Sequence, residues 1–213
     1  MPMVYQQNIN PYTRLGVWHI AELESFFTQE VPLQRNITHP HKRLQHLAGR
    51  FLLKELYPNF PYELIRIADT RKPFLENEAY HFSISHCGDY AAVIVSSRNR
   101  VGVDVELISN KVEKVQHKFL SVAEQEMIST LVQGNSFDHH TKLLTLSWGI
   151  KESLFKWYGD GEMDFIEHLC IENIFIGVDA GGVAYCRILK DQEISLIVHF
   201  LFFNNNCISW VVS

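Results

Sequence analysis

Residues 100–107 alternate with a period of two, Val101, Val103, Val105 and Leu107 against Gly102, Asp104 and Glu106. Successive side chains of a strand point to opposite faces, so one face is apolar and the other carries both acids. Such a strand in mid-chain demands a sheet around it and helices to cover that sheet. Helix-period segments stand on both sides. From about residue 41 to 56, Leu44, Leu47, Ala48, Phe51, Leu52 and Leu56 fall on one stripe, with Lys42, Arg43, Arg50 and Lys54 elsewhere on the cylinder. From Leu143 to Tyr158 apolar residues again recur at helical spacing, and Gly159 and Gly161 end the run.

Before and between these helices lie short segments rich in β-formers: 12–20, 64–68, 80–85 and 90–96. Residues 22–28 read as a short amphipathic helix. Ser121 with Glu124 has capping-box spacing and predicts a helix to about Leu131. Residues 134–140 read as a polar loop, and 169–213 as short strands with turns at 179–182 and 204–206. The most apolar stretch, 194–203, contains His199 and is about half the length of a bilayer-spanning helix. It reads as a buried strand. No linker or repeat divides the chain, and the fold class is α+β.

A chain of 213 residues with 46% hydrophobic content is long enough to bury a real core. Its formal charge of −5 argues against a general polyanion binder, so no nucleic-acid partner is expected and any anion site is local. Cys87, Cys170, Cys186 and Cys207 lack close-pair spacing, which fits reduced thiols and a cytoplasmic location rather than a disulfide framework. No secretion signal or membrane partner is expected from the N-terminus.

Two acids at i and i+2 on a strand lie roughly 6–7 Å apart at Cα and repel each other unless a cation joins them. Hard carboxylate oxygens suit Mg²⁺. Glu152, in the helical stretch Trp148-Gly-Ile-Lys-Glu-Ser-Leu-Phe-Lys156, can be aimed at that strand. The plain alternatives are a solvated strand face for Asp104 and Glu106, and a helix-surface pair for Glu152 with Lys156. Lys72-Pro73 reads as a turn presenting a cation. Ser85-His86-Cys87-Gly88 closes a strand where backbone N–H groups can turn toward a phosphate.

The order of these segments resembles the Sfp-type 4′-phosphopantetheinyl transferase family. The matching pieces are KRLQHLAGR at 42–50, RKP at 71–73, FSISH at 82–86, VGVDVE at 101–106, FLSVAE at 119–124 and WGIKESLFK at 148–156. The resemblance implies two similar α/β halves related by pseudo-twofold symmetry, residues 1–100 and 101–213, with the active site in the cleft between them. It implies transfer of the 4′-phosphopantetheine arm of coenzyme A to a serine of an acyl or peptidyl carrier protein, by a monomer using Mg²⁺. Carried onto matching positions, Asp104, Glu106 and Glu152 bind the metal, and Lys156 reaches the pyrophosphate or the leaving group. Lys72, Ser85 and His86 hold coenzyme A phosphates, Arg43 and Arg50 meet the nucleotide end, and Glu124 helps as base or ligand. Ser83 and Cys87 stand where the family usually has Asn and Ser, and Arg71 where it often has glycine.

The serine's proton acceptor stays open among Glu152, Glu124 and a metal-bound water. The acid pair with a downstream Glu and Lys also fits a metal-dependent nuclease, and a third reading is an inactive carrier-binding module. Lys111, Lys114 and Lys118, directly after the acid strand, are the candidate docking surface for an acidic carrier.

Overall fold

The protein is described here by a computed structural model covering residues 2–33, 36–132 and 137–213. In chain order its elements begin with β1 (Met3–Asn10), β2 (Thr13–His19), α1 (Glu24–Thr28) and α2 (Pro40–Leu56). There follow β3 (Ile65–Ile67), β4 (Pro73–Leu75), β5 (His81–Cys87), β6 (Tyr90–Ser96) and β7 (Val101–Leu107). Helices α3 (Val122–Val132) and α4 (Phe137–Tyr158) precede β8 (Leu169–Ile176), β9 (Gly181–Leu189), β10 (Glu193–Phe203) and β11 (Asn206–Val212). Among the described residues the strands form antiparallel sheets in the orders β1-β2-β6-β5 and β7-β11-β10-β9-β8, with β3 and β4 as a separate ribbon. The mixed α+β architecture expected from the sequence is what the chain adopts.

The acid-bearing strand sits where the two larger sheets meet. Val101, Val103 and Val105 of β7 pack with Ile208 and Trp210 of β11 against Leu15, Val17, Ala92 and Ile94 of the first sheet. The opposite face of β7 is covered by α4. Gly102 is what lets the helix down: a Cβ there would lie 2.0 Å from the Ser153 carbonyl oxygen. The first sheet repeats the device. A Cβ on Gly16 of β2 would lie 3.1 Å from Leu56 of α2, and one on Gly49 of α2 would lie 2.7 Å from Ile84 of β5. Each sheet thus carries one long helix seated on it through a strand glycine and a helix glycine.

Local signals set the ends of these helices. Pro40 opens α2, where its fixed φ suits the first turn, and His39 accepts a hydrogen bond from the Lys42 amide at 3.4 Å. Ser121 and Glu124 close a reciprocal capping box on α3, with Ser121 N donating to Glu124 Oε2 at 2.8 Å and Glu124 N to Ser121 Oγ at 3.3 Å. Gly159 ends α4 at φ +85°.

Some expectations change. Residues 137–140 belong to α4 rather than to a loop, while 134–136 lie outside the described residues. β10 is half-buried, not buried: Leu196, Val198 and Phe200 face inward while Ile197 is 45% exposed. β1 and β4 are strands that composition did not announce. The Asn10-Pro11 dipeptide, whose Asn10 side chain accepts from the Tyr12 amide, marks the turn between β1 and β2.

Candidate active site

Four elements converge at the seam between the sheets: β5, β7, the turn from β3 to β4, and α4. The spacing 148, 152, 156 puts Trp148, Glu152 and Lys156 on one face of α4, above the acid face of β7. Asp104 is only 3% exposed, so it is not part of a solvated strand face. Its Oδ1 accepts hydrogen bonds from Ser85 Oγ at 2.7 Å and from Lys156 Nζ at 2.6 Å, and Lys156 Nζ also donates to Ser85 Oγ at 2.9 Å. Lys156 therefore reaches across to β7 and β5. Glu106 accepts from Trp148 Nε1 at 3.2 Å and from Cys87 Sγ at 3.4 Å, one donor on each carboxylate oxygen.

The electrostatics follow from burying three acids beside one lysine. Burial first, and the Asp104 charge second, push the Glu106 carboxyl up to about 7. Burial raises Glu152 as well; Lys156 opposes the shift and Asp104 adds to it. Burial and the Glu106 carboxylate hold the Cys87 thiol at about 11. The acid set is short of positive charge, and its oxygens are of the kind a hard divalent cation takes. Among the described residues, no three carboxylate, imidazole or thiol groups are already gathered at metal-ligand spacing.

Lys72 stands at the end of the turn before β4, where burial and the Arg100 charge bring its amine down to about 8. Its side chain lies against Gly159: a Cβ there would come within 2.4 Å of Nζ. Two adjoining clefts share Lys72, Pro73, Phe82 and Gly159. The one of about 600 Å³ also touches Lys156, and the one of about 820 Å³ extends to Arg100 and Tyr158. Arg71, at the mouth of the smaller cleft, has φ +67°, a left-handed conformation that glycine adopts without strain. His86 is exposed near the end of β5, whose ladder with β6 continues to Cys87, so the turn begins only at Gly88, φ +53°.

Three expected site residues lie elsewhere. Arg43 donates to both oxygens of Glu24 at 2.8 Å and to the Ile37 carbonyl at 3.0 Å, which ties α2 to α1. Arg50 is 7% exposed and packs beside His46 in α2, not on a basic outer flank. Glu124 is 3% exposed, with Oε2 accepting from Lys151 Nζ and Ser121 N, and Oε1 from Ile171 N. Its carboxylate is engaged in joining α3, α4 and β8. Conversely, Trp148 and Cys87 touch Glu106 directly. The i, i+4 spacing of Trp148 and Glu152 is the signal that could have found the first; nothing in the sequence tied Cys87 to Glu106.

Comparison with known proteins gives the same segment prominence. Residues 100–206 match the family model described as the 4′-phosphopantetheinyl transferase superfamily. The chain is 33% identical over 118 residues to enterobactin synthase component D of Escherichia coli O157:H7, covering 54% of this chain and 54% of that protein. It is 31% identical over 117 residues to 4′-phosphopantetheinyl transferase gsp of Aneurinibacillus migulanus, covering 54% and 46%. It is 26% identical over 164 residues to the mouse L-aminoadipate-semialdehyde dehydrogenase-phosphopantetheinyl transferase, covering 69% and 53%. The chain spans about half the length of the curated relatives it matches. With the family match running from β7 through β10, over both strand acids, the α3 capping box and all of α4, this chain belongs to the 4′-phosphopantetheinyl transferase superfamily.

Proposed function

We propose that the protein transfers the 4′-phosphopantetheine arm of coenzyme A to a serine of a carrier protein. The observation that carries this reading is the cluster of Asp104, Glu106, Ser85 and Lys156 beside a cleft that also holds Lys72. In this reading residues 1–100 supply most of the phosphate-binding groups, residues 101–213 the acids and α4, and the seam between the two sheets is the active site. The donor set fits Mg²⁺, held by Asp104, Glu106 and Glu152; the ion supplies charge neutralisation of the pyrophosphate. Lys156, already 2.6 Å from Asp104, takes a pyrophosphate oxygen, and Lys72, Ser85 and His86 hold the phosphates from the other side.

In the reaction, the serine oxygen bonds to the phosphorus that bears pantetheine as the bond from that phosphorus to the bridging oxygen breaks. The products are holo carrier and 3′,5′-ADP. The serine's proton passes to Glu152 or to solvent. The four cysteines are free, which supports a reducing, cytoplasmic setting, and we take the working form to be a monomer. No helix among the described residues is long and apolar enough to cross a membrane.

The test is mass spectrometry of several apo carrier proteins incubated with the enzyme, coenzyme A and Mg²⁺. A phosphopantetheine mass gain on one serine is expected, and Asp104→Ala, Glu106→Ala and Glu152→Ala are each expected to lower the rate by at least about 100-fold. No gain on any carrier, together with Mg²⁺-dependent cleavage of a nucleic acid, would replace this reading by a phosphodiesterase.

A further inference from the structure

Ser209 of β11 lies directly across from Asp104 in the ladder with β7, and it is 1% exposed. Its Oγ has no hydrogen-bond partner among the described residues, and neither does Asp104 Oδ2. Both atoms face the same point on α4. A methyl group on Gly149 would lie 3.3 Å from Ser209 Oγ and 3.5 Å from Asp104 Oδ2. The missing side chain of Gly149 thus leaves a small polar space roofed by the helix, floored by two strands and containing one acceptor-only oxygen and one hydroxyl. A buried polar atom without a partner is rare, and two facing one gap call for a common explanation. A carboxylate oxygen only accepts, whereas a hydroxyl can turn and donate.

We propose that Ser209 is a positioning residue for the cation held by Asp104, an inference that rests on the cation-binding reading above. Its hydroxyl holds Asp104 Oδ2 through one buried water in the space under Gly149. Ser85 and Lys156 meet the other oxygen, so Ser209 fixes the carboxylate plane from the side away from the cleft. Oδ1 is then presented to the cleft in one orientation. Gly149 serves the same end, because a Cβ there would stand 3.3 Å from Ser209 Oγ and fill the place of the water.

The test titrates Mn²⁺, as a probe for a hard divalent cation, into the full-length cation-free protein by calorimetry. Ser209→Ala is expected to weaken Mn²⁺ binding by roughly tenfold or more, the range for residues that orient a metal ligand, with an unchanged thermal midpoint in the absence of cation. Ser209→Cys, similar in size and a weaker donor, is expected to recover part of the affinity. Gly149→Ala is the second variant should Ser209→Ala fail to fold, and it is expected to weaken Mn²⁺ similarly. Wild-type affinity in whichever variants fold overturns the role of Ser209 and leaves the cation site standing. A wild-type protein that takes up no Mn²⁺ overturns both.

Discussion

Glu106 is held between a tryptophan and a thiol, two neutral donors, with the Asp104 charge beside it. An acid whose folded value is raised from 4.5 to about 7 binds more protons folded than unfolded in that interval. Its contribution to stability is therefore fully present below the unfolded value and is lost as pH rises through about 7. A divalent cation at this site competes with that proton, so cation binding should tighten as pH rises. Mn²⁺ affinity is expected to increase by about tenfold from pH 6 to pH 8, and affinity that stays flat across this range would exclude Glu106 as a ligand. Cys87 gives a second residue-scale expectation. Held at about 11 by burial and Glu106, its thiol should react with iodoacetamide at pH 8 many times more slowly than an unperturbed cysteine. Rapid loss of this one thiol, followed by peptide mass spectrometry, would show that the Glu106 contact is not maintained in solution.

At the scale of elements, the Glu124–Lys151 pair is what ties α3 to α4. Both side chains are buried, at 3% and 0%, and Lys151 Nζ also donates to the Phe165 carbonyl at 2.7 Å. Removing one partner strands the other's charge, so Lys151→Ala is expected to cost about 3–5 kcal/mol in urea unfolding, and Glu124→Leu with Lys151→Met much less. Additive losses in the double variant would mean the two residues act separately. This pair also marks how far the sequence could be read. Ser121 and Glu124, three apart, announced the start of α3 because capping is local. That the same carboxylate would reach a lysine 27 residues away was not legible, since it depends on how α3 packs against α4. Asp104 and Glu106 were legible as a same-face pair because period two is a property of any strand. The surroundings of Arg43 and Arg50 were not legible for the converse reason: a helical wheel gives direction but not what packs there, and Arg43 meets Glu24 of α1 while Arg50 is buried. β1, mostly polar, had no apolar alternation to betray it and is a strand because β2 offers it an edge.

For the whole molecule the question is how a protein of formal charge −5 would meet the carrier proposed above, if that carrier is acidic. Long-range repulsion is overcome only if positive groups gather at the contact and local acids are withdrawn. The segment after β7 meets both conditions. Lys111, Lys114, His117 and Lys118 are exposed along two short 3-10 turns, while the Glu113 carboxylate is turned inward to accept from Thr141 Oγ1 at 2.6 Å. Apolar groups stand among these cations, with Leu107 46%, Val115 39% and Val122 72% exposed. Phe119, at the end of the second turn, is 1% exposed and belongs to the core. The segment starts two residues past Glu106, so a carrier bound there would have its serine near the acid cluster. Lys114→Glu with Lys118→Glu is expected to raise the KM for the carrier by about tenfold at low salt, to flatten its dependence on ionic strength, and to leave the KM for coenzyme A unchanged. Val122→Ser tests the apolar share separately and should raise the carrier KM without altering its salt dependence, because burying a valine contributes through area and not through charge. Carrier kinetics equal to wild type in both variants would move the docking site off this segment.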